Sequence, residues 1–463
     1  MTILTRSADV QAVLTLAKRA QVRLMRVLYC DNASLIRTKA VYVDDLPARM
    51  QSGIGFPVAQ QALTAFDVPA VIEGMGPVGE FRLVPDPATF VILPYATESA
   101  SLFGDMYTLH GVPWGACPRT FLRRMGARLA EHGLSAEVGS EHEFALARRG
   151  EGAFPYQPAD FAPLFSASAL DAHDGFLSAW LVALTKQEIT PRLVQSEYGP
   201  GQIEISLAPT DLLQAADNVC LLRETTRAVA ARHGLIASFA PKPYVEQFAG
   251  NGLHLHLSLW DLEEEQEHRH NRFYDAADPV LLSELARHFI GGLLAHLPAL
   301  VALTCASVNS YERLQPGHWS SAYCSWGLDN REAAIRVPSI SWGQEEASLR
   351  LEVRSADHSA NPYLALGGLL AAGLDGIKRG LDPGEPLSVD PGALSEEERE
   401  RLGARRLPTT LSEALDALAR DPVLQEALGP LLSTAYIAVK RQEVVSLQDK
   451  TPQEVAALYF EKY

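Results

Sequence analysis

Four segments of the chain carry acidic, basic or imidazole side chains at every second position, with apolar residues between them. Because successive side chains of a β-strand point to opposite faces, each segment would have one chemical face and one apolar face. The chemical faces hold Glu141 and Glu143; Glu204 and Ser206; His254, His256 and Ser258; and Arg350, Glu352 and Arg354. Any single segment could be a half-exposed antiparallel strand. The four together favour a curved sheet whose concave face binds divalent cations and phosphate.

Carboxylates dominate this set of side chains, and no thiolate accompanies them. With one further glutamate, five carboxylates and one imidazole are available as metal ligands: Glu141, Glu143, Glu197, Glu204, Glu352 and His254. An oxygen-rich set of this kind suits Mg²⁺ or Mn²⁺ better than zinc. An inert salt-bridge network is the weaker interpretation, since five carboxylates on one face would repel one another without a cation.

Arginines supply the complementary charge in the second half of the chain. They are Arg313, Arg331, Arg336, Arg350 and Arg354. Guanidinium groups make bidentate contacts with phosphate and carboxylate, and metals together with arginines are what phosphoryl transfer requires. The sequence contains neither GxxxxGK[ST] nor GxGxxG, so it predicts neither a P-loop nor a Rossmann nucleotide site.

The rest of the sequence indicates which elements position these residues. Residues 22–45 alternate around a polar turn and predict a hairpin, and short strands follow within FRLVPDPATFVILPY. The chain up to about residue 115 is therefore predicted to be a small β-rich domain. A helix over RTFLRRMGARLAEHG then precedes the first chemical strand, and further helices are predicted at 211–234, 281–307, 361–380 and 412–432. We divide the chain into residues 1–115 and residues 116–463.

Composition excludes several classes of protein. The 463 residues include 40 Lys and Arg against 56 Asp and Glu, and the net charge of −16 disfavours binding to nucleic acid or to a membrane surface. Five scattered cysteines without a CxxC pair argue against disulfides and zinc, so a reducing cytoplasm is the simplest location. The N-terminus predicts an amphipathic helix rather than a secretory signal. Residues 289–308 are long enough to span a bilayer, but His296 and Pro298 interrupt them, and we expect a buried core helix.

Eight ordered motifs give the chain a resemblance to a known family. They are GSEHEF (139–144), EYGPGQIEIS (197–206), AADN (215–218), HGLIASFAPKP (233–243), NGLHLHLSLW (251–260), NSYERLQPG (309–317), NREAAIRVP (330–338) and the segment that starts LRLEVRSADHSANPY (from 349). With these motifs the sequence resembles the glutamine synthetases. The resemblance implies an α+β fold, with an N-terminal β-grasp domain and a glutamine-synthetase/guanido-kinase-like catalytic domain on a curved antiparallel sheet. It also implies homo-oligomers, of which a dodecamer of two rings is expected, with active sites between neighbouring subunits.

The same resemblance implies a role for each matching residue. Two or three Mg²⁺ or Mn²⁺ ions and ATP as co-substrate would be bound, together with glutamate and an amine. Ligands of the metal nearer glutamate would be Glu143, Glu197 and Glu204, and those of the metal bridging the ATP phosphates Glu141, His254 and Glu352. ATP would contact His256, Ser258, Arg336 and Arg350, and glutamate would contact Gly250, Arg313 and Arg354. Arg331, Arg336 and Trp319 would act in catalysis.

Departures from the family pattern concern the nitrogen substrate. Glutamine synthetases carry a glutamate in the flap after NSYxRLxPG, where this chain has Trp319, and a DGSS segment that the first 115 residues lack. Ala249-Gly250 stands where the family has Asn-Gly. The pattern resembles the branch that ligates glutamate to organic amines, as in γ-glutamylpolyamine or γ-glutamylethanolamide synthetases. The alternatives are a glutamine synthetase that uses ammonium and a catalytically silent structural or regulatory homologue.

Overall fold

Two β-sheets organise the computed structural model, which describes residues 7–152, 154–262 and 269–463. A six-stranded sheet lies in the N-terminal part, and a ten-stranded sheet carries all four chemical segments. Helices pack on both, with the longest ones buried behind the larger sheet. The predicted α+β fold class is confirmed.

The smaller sheet is built from β1 (Leu24–Cys30), β2 (Ile36–Tyr42), β3 (Ile54–Pro57), β4 (Glu80–Pro85), β5 (Val91–Ile92) and β6 (Ser99–Tyr107). The strands lie in the order β2-β1-β6-β4-β3, with β5 beside β6. β1 and β2 pair antiparallel with Leu24 opposite Tyr42, which confirms the predicted hairpin. β1 runs parallel to β6, and the other pairs are antiparallel.

The larger sheet is built from β7 (Leu134–Arg149), β8 (Tyr156–Pro158), β9 (Pro191–Ser196), β10 (Gln202–Asp211), β11 (Ile236–Ser238), β12 (Leu253–Asp261), β13 (Tyr323–Leu328), β14 (Ala333–Val337), β15 (Leu351–Val353) and β16 (Arg405–Arg406). Its order is β16-β13-β14-β15-β12-β7-β10-β9, with β8 and β11 also beside β7. All pairs are antiparallel except β13 with β14. The long strand β7 therefore lies centrally, with a ligand-bearing strand on each side.

The helices include every segment predicted from the sequence. Their bounds are α1 (Ser7–Arg19), α2 (Leu46–Ser52), α3 (Pro118–Glu131), α4 (Ala167–Ala172), α5 (Asp174–Thr185), α6 (Leu212–Arg232), α7 (Glu284–Thr304), α8 (Ser310–Arg313), α9 (Glu345–Ser348), α10 (Pro362–Arg379), α11 (Glu396–Arg401), α12 (Leu411–Arg420), α13 (Pro422–Leu428), α14 (Pro430–Leu447) and α15 (Pro452–Phe460). The predicted N-terminal helix is present from Ser7, and its first six residues lie outside the described residues.

The helical region predicted at residues 412–432 is divided into separate helices. Three helices, α12, α13 and α14, cover this region, and the last continues to Leu447. Pro422 and Pro430 each begin a new helix, because proline lacks the N–H that a continuing helix needs but fits its first turn. Asp421 caps α13 by accepting hydrogen bonds from two backbone N–H groups.

Helix α7 contains most of the apolar segment at 289–308, up to Thr304. By length and composition it could cross a membrane, and 67% of its most apolar window is buried inside the protein. It packs against α10 and α12, and the two backbones of α7 and α10 are so close that a Cβ on Gly292 would lie 2.2 Å from a carbonyl oxygen of α10. The packing fits the expected core helix. The five cysteines are free thiols.

Candidate active site

Cross-strand neighbours in the centre of the larger sheet form a cluster that we call the metal-ligand face: Glu141, Glu143, Glu204, His254 and Glu352. On β7, Glu141 lies opposite His254 of β12, and Glu143 lies opposite Glu204 of β10. The strand beyond β12 is β15, which carries Glu352. Opposed residues in paired strands have adjacent side chains, so the alternation seen in the sequence becomes a single surface.

Two groups of three side chains on and beside this face have the spacing of metal ligands. Glu141, Glu204 and His254 form one group, and Glu141, His256 and Glu352 form the other, with the ligand atoms of each group within 4.8 Å of one another. His254 Nδ1 lies 3.2 Å from Glu141 Oε2 and 3.7 Å from Glu352 Oε1. Glu141 therefore belongs to both groups and bridges the two candidate positions.

The donor set fits a divalent cation. The second ring nitrogen of His254, Nε2, is buried without a hydrogen-bond partner, which is uncommon for a buried polar atom. Beside it the backbone leaves space, because a Cβ on Gly252 would lie 2.9 Å from that nitrogen. Carboxylate oxygens with one imidazole are ligands suited to Mg²⁺ or Mn²⁺.

Electrostatics on the β9–β10 side of the face favour a bound cation. Burial and the neighbouring charge of Glu143 raise the pKa of Glu197 to about 7. Burial raises the pKa of Glu204 as well, with added repulsion from Glu143 and Glu141. Burial and repulsion between neighbouring carboxylates both favour the protonated form of these groups. A bound divalent cation would replace those protons.

On the β12–β15 side, basic groups balance the carboxylates. Burial opposes the ionisation of Glu141, but hydrogen bonds from His254 and His256 outweigh it and lower its pKa. Burial likewise opposes the ionisation of Glu352, and the charges of Arg354 and the two histidines lower its pKa. The β9–β10 side of the face therefore has carboxylates that repel one another, whereas on the β12–β15 side basic groups stabilise the ionised carboxylates.

Two glutamine side chains position the carboxylates without neutralising them. Gln202 Nε2 donates to Glu143 Oε2 over 3.2 Å. Gln195 Nε2 donates to Glu197 Oε1 over 2.7 Å and to Glu204 Oε1 over 3.1 Å. Neither glutamine was predicted as a site residue from the sequence, although Gln202 lies within the EYGPGQIEIS motif.

Arg354 connects the metal-ligand face to the loop that holds Trp319. Its Nη1 donates to Glu352, and its Nη2 donates to the carbonyl oxygen of Trp319 over 3.2 Å. Its Nε donates to the carbonyl oxygen of Arg331 over 3.0 Å. Arg336 Nη1 also donates to Glu352, over 2.7 Å. Two guanidinium groups thus share one fully buried carboxylate.

The other predicted site residues lie around this centre. Arg313 Nη1 donates to a backbone carbonyl after β15, and a Cβ on Gly250 would lie 2.4 Å from a backbone oxygen. Arg350 Nε donates to His256 Nδ1 over 3.2 Å. Ser258 lies further along β12, where its hydroxyl accepts a hydrogen bond from the Trp260 indole.

A cavity of about 660 Å³ opens over the metal-ligand face. Eleven of the predicted site residues line it: Glu141, Glu143, Glu197, Glu204, Gly250, His254, Arg313, Trp319, Arg331, Arg336 and Arg354. His256, Ser258, Arg350 and Glu352 are outside the lining. The structure therefore places most of the residues predicted to bind metal, glutamate and the phosphoryl group around one space.

The loop carrying Trp319 is held in an unusual conformation. Trp319 has a φ of +52° and an exposed fraction of 60%, and few large residues adopt positive φ. Its backbone N–H donates to Glu332 Oε1 over 2.7 Å, and Glu332 is buried. Burial raises the pKa of Glu332, and this hydrogen bond opposes the shift. Glu332 was not singled out from the sequence, although it lies in the NREAAIRVP motif.

The cavity is also lined by large apolar side chains, which we call the apolar wall: Leu164, Phe165, Leu193, Tyr198, Phe248 and Trp319. All six are exposed. Only Trp319 was identified from the sequence, by its place in the flap. The others lie in loops or on the edge strand β9, where no periodic pattern marks them.

Comparison with known families matches both parts of the chain. Residues 115–459 match the family model described as glutamine synthetase, catalytic domain. Residues 9–114 match the model described as glutamine synthetase N-terminal domain.

Individual relatives cover nearly the whole chain. Gamma-glutamylpolyamine synthetase GlnA3 of Streptomyces coelicolor is 37% identical over 94% of this chain and 92% of its own. A glutamine synthetase of Mycolicibacterium smegmatis is 35% identical over 93% and 94%. Among solved structures, a novel glutamine synthase homolog has a TM-score of 0.84 at 35% identity, covering 96% of this chain and 99% of its own. The GmaS/ADP complex has a TM-score of 0.81 at 28% identity, covering 95% and 97%.

Proposed function

Because the chain belongs to the glutamine synthetase family, we propose that it ligates the γ-carboxylate of glutamate to an organic primary amine at the expense of ATP. The family and the relatives support ATP-dependent γ-glutamyl ligation. The observation that carries the choice of an organic acceptor is Trp319, an exposed aromatic ring on the cavity at the flap position.

The reaction has two balanced steps. In the first, an oxygen of the glutamate γ-carboxylate attacks the γ-phosphorus of ATP, and ADP leaves. In the second, the amine nitrogen attacks the carbonyl carbon of γ-glutamyl phosphate, phosphate leaves, and the nitrogen loses a proton. The chain's task is to position the reactants and to stabilise the developing charge.

Arginines and carboxylates divide that task. Arg331 and Arg336 would stabilise charge on the transferred phosphoryl group, and Arg313 and Arg354, with Gly250, would bind glutamate. ATP would contact His256, Ser258, Arg336 and Arg350. Backbone or carboxylate partners already orient the guanidinium groups of four of these arginines, Arg313, Arg336, Arg350 and Arg354.

Two or three Mg²⁺ or Mn²⁺ ions are part of the proposal. Glu143, Glu197 and Glu204 would hold the ion nearer glutamate, and Glu141, His254 and Glu352 the ion nearer the ATP phosphates. Bound ions would supply charge neutralisation between the triphosphate and the carboxylate. The contacts of Glu141 with His254 and His256 would keep these side chains in position for the ions.

Trp319 would favour a substituted amine over ammonium. An aromatic face attracts an alkylammonium by a cation–π contact of about 0.5–2 kcal/mol and can pack against its alkyl stem. Ammonium has no stem to use that surface. The relative named a gamma-glutamylpolyamine synthetase supports an organic acceptor, and the relative named a glutamine synthetase supports the alternative, ammonium.

The proposal also covers the oligomeric state, the domain boundaries and the cellular location of the protein. Members of this family are oligomeric, and we propose a dodecamer of two rings with domains at residues 1–115 and 116–463. A cytoplasmic location is proposed from the free cysteines.

The test is acceptor-dependent phosphate release by the full chain with ATP, glutamate and Mg²⁺. Ammonium would be compared with ethanolamine, methylamine, putrescine, longer polyamines and aromatic amines. We expect an organic amine to have the highest kcat/KM. A higher kcat/KM with ammonium than with every amine would contradict the proposal.

A further inference from the structure

Resting on this proposed function, we infer that Gln202 is a positioning residue that couples the binding of glutamate to the binding of the metal ion nearer glutamate. Its side-chain amide contacts both Glu143, a proposed ligand of that ion, and the carbonyl oxygen of Gly250, which is proposed to bind glutamate. Binding of either partner would fix the same amide and so strengthen the binding of the other, because coupling between two sites is reciprocal.

The amide of Gln202 joins two parts of the site. Its Nε2 lies 3.2 Å from Glu143 Oε2, 3.0 Å from the carbonyl oxygen of Gly250 and 3.1 Å from Asn251 Oδ1. Its Oε1 accepts a hydrogen bond from the Gly199 N–H over 2.8 Å. A primary amide has two N–H groups, so three acceptors and one donor occupy all of its polar groups. The side chain is therefore held in one orientation between the ligand and the loop.

The loop at residues 249–252 is fixed to Glu143 by a second contact. The Gly252 N–H donates to Glu143 Oε2 over 2.7 Å, and this is the same oxygen that Gln202 contacts. Asn251 is anchored in turn, because its Nδ2 donates to two backbone carbonyl oxygens at and beyond the end of β11. A displacement of this loop would therefore also displace the carboxylate of Glu143.

Glutamine orients the carboxylates on this side of the face without supplying positive charge. The three proposed ligands of the ion nearer glutamate are Glu143, Glu197 and Glu204, and glutamine amides donate to all three. On the other side, guanidinium groups donate to Glu352. A neutral donor fixes the geometry of a ligand and leaves the compensating charge to a cation.

These contacts lie inside the chain. The exposed fractions of Gln202 and Asn251 are 5% and 1%. Association with a neighbouring subunit can only bury them further, so the contacts do not depend on what a neighbour adds around the cavity.

Gln195 offers a matched control. Among the described residues, its side chain donates to Glu197 and Glu204 and makes no hydrogen bond to residues 249–252. Its loss should weaken metal binding, but it should leave the coupling to glutamate intact.

Binding of Mn²⁺ to the full chain tests the inference without turnover, with free Mn²⁺ measured by electron paramagnetic resonance. We expect saturating glutamate to lower the Mn²⁺ Kd at one site per chain about tenfold in the wild-type protein. In Gln202→Met, which replaces the amide in a side chain of similar length, this effect should shrink at least about threefold. In Gln195→Met, Mn²⁺ should bind more weakly while the effect of glutamate stays about tenfold.

Direct contact between glutamate and the ion would contribute equally in both variants, so the difference between them isolates the part carried by Gln202. Gln202→Asn keeps an amide on a side chain one methylene shorter and should lose the coupling as Gln202→Met does. The test therefore does not depend on one variant.

Hydroxylamine, which traps γ-glutamyl phosphate as a hydroxamate, gives a second readout. Gln202→Met should raise the KM for glutamate about tenfold and change the KM for ATP less than about twofold. Thermal unfolding should be measured in parallel. A purely structural role for Gln202 would lower stability without separating the two KM values.

The outcomes separate this inference from the proposed function. Failure to bind Mn²⁺ or glutamate would overturn both. Binding of both without an effect of glutamate on the Mn²⁺ Kd, or an equal loss of that effect in Gln202→Met and Gln195→Met, would overturn the inference alone. Preference for ammonium in the acceptor assay would overturn the proposed function alone, because glutamate and the metal are used with either acceptor.

Discussion

The metal-ligand face and the apolar wall both adjoin one cavity, and they are built differently. Glu204, His254 and Glu352 lie on paired strands and have exposed fractions of 8%, 4% and 0%. Phe165 and Phe248 lie in loops and have exposed fractions of 64% and 42%. The predicted metal ligands are thus held by the sheet, whereas the apolar residues that would contact the acceptor are held by loops. Loop residues can change between relatives without disturbing the sheet.

Arg354 is the contact between the two regions. It binds Glu352 on one side and the carbonyl oxygen of Trp319 on the other. A change on the metal-ligand face should therefore affect every acceptor, while a change at the wall should affect acceptors unequally. Substitutions in each region test that difference.

Glu352→Gln should abolish activity with butylamine and with hydroxylamine alike, lowering kcat at least about 100-fold. The reason is that Glu352 is both a candidate ligand and the partner of two arginines. Phosphate release and hydroxamate formation measure the loss. Glu143→Ala should act in the same way through the other metal position.

Glu345→Gln, at a half-buried glutamate of α9 outside the cavity lining, is the control and should keep full activity. Thermal unfolding must accompany these assays, because breaking a buried ion pair costs about 3–5 kcal/mol. Near-normal turnover in both Glu352→Gln and Glu143→Ala would refute the site assignment.

Trp319→Glu should separate the two regions. We expect kcat/KM for organic amines to fall about tenfold, because the ring contact is lost. Hydroxamate formation should fall less, since the metal ligands and phosphoryl arginines are unchanged. Glutamine synthesis from ammonium should not be fully restored, because the DGSS segment is also missing. Wild-type rates with organic amines would show that the ring only covers the cavity.

Sequence reasoning identified one region far better than the other for a physical reason. Alternation along a strand encodes a shared face, so the residue pattern alone places Glu141, Glu143 and His254 together. No comparable rule relates Phe165 to Phe248, which are 83 positions apart in irregular segments. Helices were predicted where apolar periodicity was continuous, and at 412–432 prolines divide the predicted helical stretch into three helices.

Glu332→Ala should have a smaller effect, of about three- to tenfold, on the KM for organic amines. Glu332 accepts a hydrogen bond from the Trp319 N–H and so positions the flap from a buried location. Glu332→Gln retains an acceptor oxygen and should recover most of the loss. A fall in kcat with hydroxylamine, or equal losses in both variants, would instead indicate a role for Glu332 beyond the flap.

The smallest expected effect is on the stability of the folded protein. The raised pKa of Glu197 determines the direction in which this stability changes with pH. The pKa of Glu197 is raised to about 7 in the folded chain, above the value of about 4.3 in an unfolded one. Between these values the folded state binds more protons, so metal-free stability falls as pH rises through this window. A divalent cation binds the ionised form, so stabilisation by the metal should grow over the same range.

Melting temperatures with and without saturating Mn²⁺ would therefore diverge between pH 5 and pH 7.5, by about 2–5 °C.

The measurement uses the difference between these two melting temperatures, because the protonation of His296 and His142 also changes on folding. His296 has a raised pKa, from hydrogen bonds to Asp421 and Asp375 that outweigh burial, and loses its contribution as pH rises. Burial lowers the pKa of His142 to about 3, so its contribution is lost as pH falls. Neither depends on the metal, so both cancel in the difference. Glu197→Gln should reduce the divergence and leave the part due to Glu204, whose pKa is also raised, whereas an unchanged slope in that variant would remove Glu197 from the metal site.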